Sequence, residues 1–211
     1  MIPRKLFCFF LLIALAGVPQ LGFAQSTEAD LLSAAQQAFN DGFNDVAMRY
    51  LEDFLSKYPQ SLNLPTAKLL LGQCDFLRGE YGKALGLFKE LSQRTDNKDE
   101  ILFWRGETYL KQDRLPDAQR DYQSVINDFP RSAYVPQALY SLGWSFFQEK
   151  EFASAKKTFL RLTTSFPNHP LSEDAALKIA ECDYNAGRFK DAIEDFQSFA
   201  EIGRASCRER V

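Results

Sequence analysis

The chain has 211 residues, of which 45% are hydrophobic and 25% charged, and its formal net charge at pH 7 is −3. Without residues 1–24 and 202–211, which are considered below, 20 basic and 27 acidic residues remain, a net charge of about −7. That charge opposes phosphate backbones and anionic lipids, and no cluster of Lys and Arg interrupts it. We therefore expect no nucleic acid partner.

Residues 1–24 have the pattern of a secretory signal peptide. Two basic residues precede the apolar stretch Leu6 to Val18, which is too short to span a bilayer as a helix. Gly22-Phe23-Ala24 is a small-x-small cleavage pattern, so we predict a mature periplasmic protein that begins near Gln25, without a membrane span. Cys8 lies inside the apolar stretch rather than at its end, so no lipid attachment is predicted. The alternative is an uncleaved membrane anchor.

The rest of the chain contains five similar units. Each unit has an alanine, a large apolar residue four positions later and a small residue twelve positions earlier. The alanines are Ala47, Ala84, Ala118, Ala155 and Ala192; the large residues are Leu51, Phe88, Tyr122, Phe159 and Phe196; the small residues are Ala35, Gly72, Gly106, Gly143 and Ala180. Successive alanines are 34 or 37 residues apart, a period typical of stacked helical hairpins. The alternative is a helical bundle with accidental periodicity.

The spacing within each unit predicts two amphipathic helices joined by a tight turn. Gly42, Gly79 and Gly187 stand where the first helix ends, while Asp113 and Lys150 take that place in units three and four. Tyr58, Phe129 and Phe166 each precede a proline that stops the second helix; Asp96 stands in the proline's place in unit two. We expect the small residues to lie where the paired helices cross and to let two backbones come close.

The unit Asp99 to Pro130, with Gly106, Tyr109, Ala118 and Tyr122, resembles a tetratricopeptide repeat. The resemblance covers about residues 28–201 and implies an all-α, right-handed solenoid of about five hairpins. The units lie near residues 28–64, 65–98, 99–135, 136–172 and 173–201, the last incomplete. The 37-residue form with a Tyr-Pro or Phe-Pro exit is similar to repeats of bacterial envelope proteins, such as the Tol-Pal coordinator and the outer-membrane assembly lipoproteins.

The segment Ile202 to Val211 does not continue the repeat pattern. It matches the translation of a common sequencing adapter, so we predict that it is a non-native tail and that the natural protein continues past Glu201. The alternative is a short basic tail that belongs to the protein.

Residue patterns for catalysis are missing from the sequence. The only histidine, His169, lies between two prolines without a second metal ligand nearby, and no Gly-rich phosphate loop is present. Cys74 and Cys182 occupy equivalent positions three units apart, too far for a disulfide, so we expect two buried thiols. We predict a protein that is not an enzyme and holds no cofactor or metal.

The resemblance implies that the first helix of each unit lines a concave groove. The aromatic residues it places there are Phe103, Tyr140, Trp144, Phe147 and Tyr184, with acidic neighbours. Such a groove suits an apolar or helical segment with some positive charge. We expect this segment to belong to another envelope protein or peptide. The alternative is that several of these rings pack between neighbouring units.

Two functions remain open at this stage. The first is an exported, non-enzymatic scaffold for protein–protein interactions in a bacterial envelope. The second is the N-terminal recognition module of a larger protein whose effector or catalytic domain lies beyond residue 201.

Overall fold

The computed structural model of the protein describes residues 27–93 and 97–209, with side chains as far as Ala200. The predicted signal peptide with its cleavage site and Asp96 lie outside the described residues. In the described part the chain forms only helices. They are α1 (Glu28–Asn40), α2 (Asn44–Lys57), α3 (Leu64–Leu77), α4 (Tyr81–Leu91), α5 (Lys98–Lys111), α6 (Leu115–Asp128), α7 (Val135–Gln148), α8 (Phe152–Ser165), α9 (Leu171–Asn185) and α10 (Phe189–Glu209).

These helices form five hairpins stacked in one row. Each helix packs against the next one in the chain, and the first helices of neighbouring hairpins also touch. The five recurring alanines are all buried at 2% exposure or less, as are Leu51, Phe88, Tyr122 and Phe159. Since one hairpin cannot cover its own apolar face, the core runs along the stack from unit to unit. The predicted solenoid is confirmed. The helix α10 continues to Glu209, through most of the segment predicted to be a non-native tail, and the origin of that segment stays a prediction.

The turn after each first helix has the same backbone in all five units. Gly42, Gly79 and Gly187 have φ of +81°, +79° and +76°, and Asp113 and Lys150 adopt φ of 58° and 62°. The turn closes the same hydrogen bonds in either case; Phe43 N–H donates to the Ala38 carbonyl and Glu151 N–H to that of Phe146. The left-handed conformation is thus imposed by the hairpin even where a side chain makes it costly.

The small residues at the hairpin crossing have a different role from the one predicted. A Cβ added to Gly72, Gly106 or Gly143 would meet the ring of the partner aromatic residue at 2.7 Å, and the nearest atoms all belong to that ring. The close contact that requires glycine is therefore between a backbone and a ring. Glycine is needed because a ring of the second helix packs directly against the backbone of the first.

The second helices end where the sequence predicts. Tyr58, Phe129 and Phe166 cap α2, α6 and α8 with φ between −125° and −136°, outside the helical region. The proline that follows each one disfavours helical geometry at this position. The chain then passes to the next hairpin, which sets the spacing between units.

Candidate functional site

An open cavity lies on one side of units three to five, between their first helices. It has a volume of about 410 Å³. Its lining comes from three helices: Glu107, Leu110 and Lys111 of α5, Tyr140, Ser141 and Trp144 of α7, and Lys178 of α9. We call this cavity the concave groove. Since the first helices of neighbouring hairpins lie side by side, residues far apart in sequence meet there.

A stacked aromatic pair covered by a lysine forms one wall of the concave groove. The rings of Trp144 and Phe147 lie 5.6 Å apart with an interplanar angle of 9°. The Lys178 ammonium lies 5.1 Å from the centre of the Trp144 ring and 5.8 Å from that of Phe147, within cation–π distance. The same ammonium donates to the Glu181 carboxylate at 2.6 Å. One side of the stacked pair is thus covered by a cation of the chain itself, while Trp144 still lines the cavity.

The carboxylate that lines the concave groove is engaged within the chain. Glu107 Oε1 accepts hydrogen bonds from the Tyr122 hydroxyl at 2.7 Å and the Ser141 hydroxyl at 2.6 Å. Glu100, in the first turn of α5, likewise accepts from Gln73 at 2.8 Å and from the Tyr134 hydroxyl at 2.7 Å. The bonds from Ser141 and Gln73 join neighbouring units. Among the described residues, the lining of the groove carries one glutamate and two lysines, so its charge does not favour a basic segment.

The five predicted aromatic residues do not all belong to one surface. Tyr140 and Trp144 line the concave groove, and Phe147 stacks on Trp144. Phe103 is 9% exposed and stacks on Tyr134 at 5.0 Å, so it belongs to the buried core. Tyr184 is 59% exposed and packs edge-on against Phe189 of α10, 5.6 Å away.

The two lysines of the groove were not predicted from the sequence. Lys111 and Lys178 line it, whereas the residues predicted there are aromatic with acidic neighbours. Lys178 has an acidic partner three residues later on α9, which in sequence is typical of a solvated helix surface. Lys178 reaches the Trp144 ring of the preceding unit because of the way the two hairpins stack. No pattern in the sequence indicates this stacking.

Asp75 near the end of α3 and Asp183 near the end of α9 occupy equivalent positions, but their pKa values shift in opposite directions. Burial alone would raise the pKa of Asp183, but hydrogen bonds from Lys156 at 2.6 Å and from Arg188 outweigh it and lower that pKa. At Asp75, which is 4% exposed, burial dominates and raises the pKa, although the charges of Lys83 and Arg78 partly offset it. Asp75 is thus a nearly buried carboxyl group without an ion-pair partner in the described part of the chain.

The two cysteines are buried in the core, and the histidine takes part in a local hydrogen bond. Cys74 and Cys182 are buried and free, and burial raises their thiol pKa values to about 11 and about 12. His169 Nδ1 accepts from the Leu171 N–H at the start of α9. Across residues 27–93 and 97–209, no group of three or more His, Cys, Asp or Glu is placed to hold a metal ion. In the same residues, no helix combines the length and apolar character needed to cross a bilayer.

Comparison with sequence families relates the repeats to bacterial envelope proteins. The profile of YfiO, described as an outer membrane lipoprotein, matches residues 24–138, more than half of the chain. The chain belongs to the YfiO family. A tetratricopeptide-repeat profile matches residues 137–169 and 174–202, the last two hairpins. Together the two matches cover all five hairpins of this YfiO family member, and the predicted tetratricopeptide resemblance is confirmed.

Solved structures confirm the fold. A fragment of MamA from Desulfovibrio magneticus RS-1 superposes with a TM-score of 0.72 at 17% identity, covering 84% of this chain and 96% of that one. A tetratricopeptide repeat protein from Parabacteroides merdae gives 0.70 at 18% identity, covering 84% and 67%. Kinesin light chain-like repeats from Podosopora anserina give 0.70 at 11% identity, covering 84% and 95%. At these identities the likeness concerns the fold alone. A search of curated protein sequences finds no match.

Proposed function

We propose that this protein is an exported scaffold of the bacterial envelope that binds a segment of another envelope protein in the concave groove. The observation that carries the proposal is the groove itself. Three hairpins contribute side chains to it, and half-buried aromatic rings form its wall. Trp and Tyr in a partly desolvated cleft are the residues that most often dominate the energy of a protein interface. Its role is binding rather than catalysis.

The partner that suits the groove is an apolar or helical segment. Leu110, Tyr140 and Trp144 offer apolar surface between polar side chains, and two lysines line the opening. The sequence predicts some positive charge on the partner. Because two lysines and one glutamate line the groove, the proposed partner does not need that charge.

The proposed site of action is the periplasm. The family match supports the envelope, since its description is that of an outer membrane lipoprotein. The N-terminal sequence supports export through a cleaved signal peptide, and its one cysteine, Cys8, lies inside the apolar stretch. We therefore propose a soluble periplasmic form that departs from the lipid-anchored members of its family.

Site-specific photo-crosslinking tests the groove. A photoreactive amino acid at Lys111, which is exposed and lines the groove, is expected to give a discrete adduct with an envelope protein in cells. The matched control places the same group at Arg120, which is exposed on α6 and does not line the groove. Trp144→Ala should remove the Lys111 adduct, because a truncated aromatic anchor at an interface commonly costs ~2 kcal/mol or more.

Stability must be measured on the same variant. If Trp144→Ala melts as the parent does and the adduct persists, the groove is not the binding surface. Equal adducts at Lys111 and Arg120 would also contradict the proposal, since they would indicate contact without a defined site.

A further inference from the structure

A second cavity lies on another face of α7, between α6 and α8, with a volume of about 370 Å³. We call it the α6–α8 groove. Its lining residues are Gln123, Ile126 and Asn127 of α6, Leu139, Leu142 and Phe146 of α7, and Ser154, Lys157, Thr158 and Arg161 of α8. None of them lines the concave groove, so the two cavities are separate surfaces of the same hairpin stack.

The floor of the α6–α8 groove is apolar and largely buried. Ile126, Leu139 and Leu142 belong to the buried core, at 2%, 1% and 6% exposure, and Phe146 packs against that core while remaining half-buried. The side chains around the floor are polar, and the helices on both sides have satisfied their backbone hydrogen bonds internally. A partner must therefore bind through side chains rather than by adding a strand to an exposed edge.

The rim of this groove is basic. Lys157 and Arg161 lie one turn apart on α8, and both are exposed. No carboxylate among the described residues lies within ion-pair distance of either one. Their neighbour Lys156 differs, because it donates to Asp183 at 2.6 Å and to Asp195 at 2.9 Å. The helix α8 contains no acidic residue at all, although the chain as a whole is acidic.

We infer that the α6–α8 groove docks an acidic amphipathic helix of a partner protein. An apolar face of such a helix would lie on Phe146 and Leu142, and carboxylates on its flank would face Lys157 and Arg161. Two unpaired cations beside an apolar cleft complement this chemistry in charge and in shape. An anionic membrane would find the same two cations, but the apolar floor lies in a cleft between α6 and α8, a shape that matches an inserted helix rather than a flat lipid surface.

A synthetic peptide measures this docking directly. The probe is a fluorescent amphipathic helix with leucines on one face and glutamates on its flanks, compared with the same peptide carrying lysines in place of the glutamates. Fluorescence anisotropy at low and physiological ionic strength gives both affinities. Lys157→Glu with Arg161→Glu should weaken binding of the acidic peptide by about tenfold or more, because two attractions become two repulsions.

A matched variant controls for net charge. Arg49→Glu with Lys98→Glu makes the same charge change at two exposed positions that do not line the groove, and it should leave the affinity within about twofold of the parent. A photoreactive group on the peptide should form adducts on α6 and α8. Vesicles of phosphatidylethanolamine and phosphatidylglycerol serve as the membrane probe.

The inference is overturned by any of three results: the lysine peptide binds as tightly as the glutamate peptide, the two double variants behave alike, or the adducts map to the concave groove. Vesicle binding that depends on Lys157 and Arg161, without peptide binding, would assign the groove to lipid instead. Because the α6–α8 groove and the concave groove share no residue, failure of this test leaves the proposed function standing.

Discussion

Replacing Gly143 by alanine tests the packing that holds each hairpin together. The added Cβ would lie 2.7 Å from one atom of the Phe159 ring and 2.9 Å from two others. To reach an ordinary contact of 3.4 Å the ring must move by about 0.7 Å. Phe159 has 0% exposure, and the Tyr140 ring lies against it at 5.6 Å, so the ring has no free space to enter.

Two opposing effects determine how much Gly143→Ala changes the free energy of unfolding. Alanine in place of glycine within a helix favours folding by about 1 kcal/mol, while overpacking of a filled core typically costs about 1–3 kcal/mol. We expect Gly143→Ala to lower the free energy of unfolding by about 1–2 kcal/mol, since three short contacts place it toward the upper part of that range. Gly86 is the matched control. It lies in α4 with nothing within 4 Å of an added Cβ, so Gly86→Ala should stabilise the protein by about 0.5–1 kcal/mol.

Unit one suggests a second substitution that should restore part of the lost stability. There Ala35 and Leu51 occupy the places of Gly143 and Phe159, and both are fully buried. In Gly143→Ala with Phe159→Leu the smaller side chain should accept the new methyl group, so the double variant should lose less stability than the two single variants together. Urea denaturation gives the free energies, and hydrogen exchange should place the damage of the single variant in units three to five. If Gly143→Ala is as stable as Gly86→Ala, the ring contact does not explain the glycine.

The remaining predictions concern buried charge and export. Arg105→Ala should cost about 3 kcal/mol in urea denaturation, because it leaves the Asp121 carboxylate, which now accepts two hydrogen bonds at 2.6 Å, buried without its partner. Asp75 has a raised pKa in the folded state, so the folded chain binds the proton more tightly and stability falls as pH rises from the ordinary value of 3.8 through the raised one. Asp75→Asn should therefore be more stable than the parent at neutral pH, with the difference shrinking below about pH 4, and equal pH profiles would contradict this. N-terminal sequencing of the periplasmic fraction should begin at Gln25, and an intact signal segment in the membrane pellet would refute cleavage.

Local rules made the hairpins predictable from the sequence. Gly42 and the Tyr58-Pro59 pair mark helix ends through backbone constraints that act within a few residues. The stripes of small and large residues likewise follow the helical period. The left-handed turns at Asp113 and Lys150 were also predictable. Their residue types do not favour such a turn, but their positions in the repeat match those of the turn glycines.

The lining and the charge of the two grooves depend on contacts between units. Periodicity and turn chemistry act along a single helix, so the five hairpins and their apolar faces are predictable from the sequence alone. Contacts between hairpins determine three further features: Phe103 is core, Lys178 covers the Trp144 ring, and Lys157 stays unpaired while Lys156 binds two aspartates. The physical reason is that neighbouring residues on one helix differ by about 100° in direction, so a small rotation of one hairpin on the next exchanges buried and exposed positions.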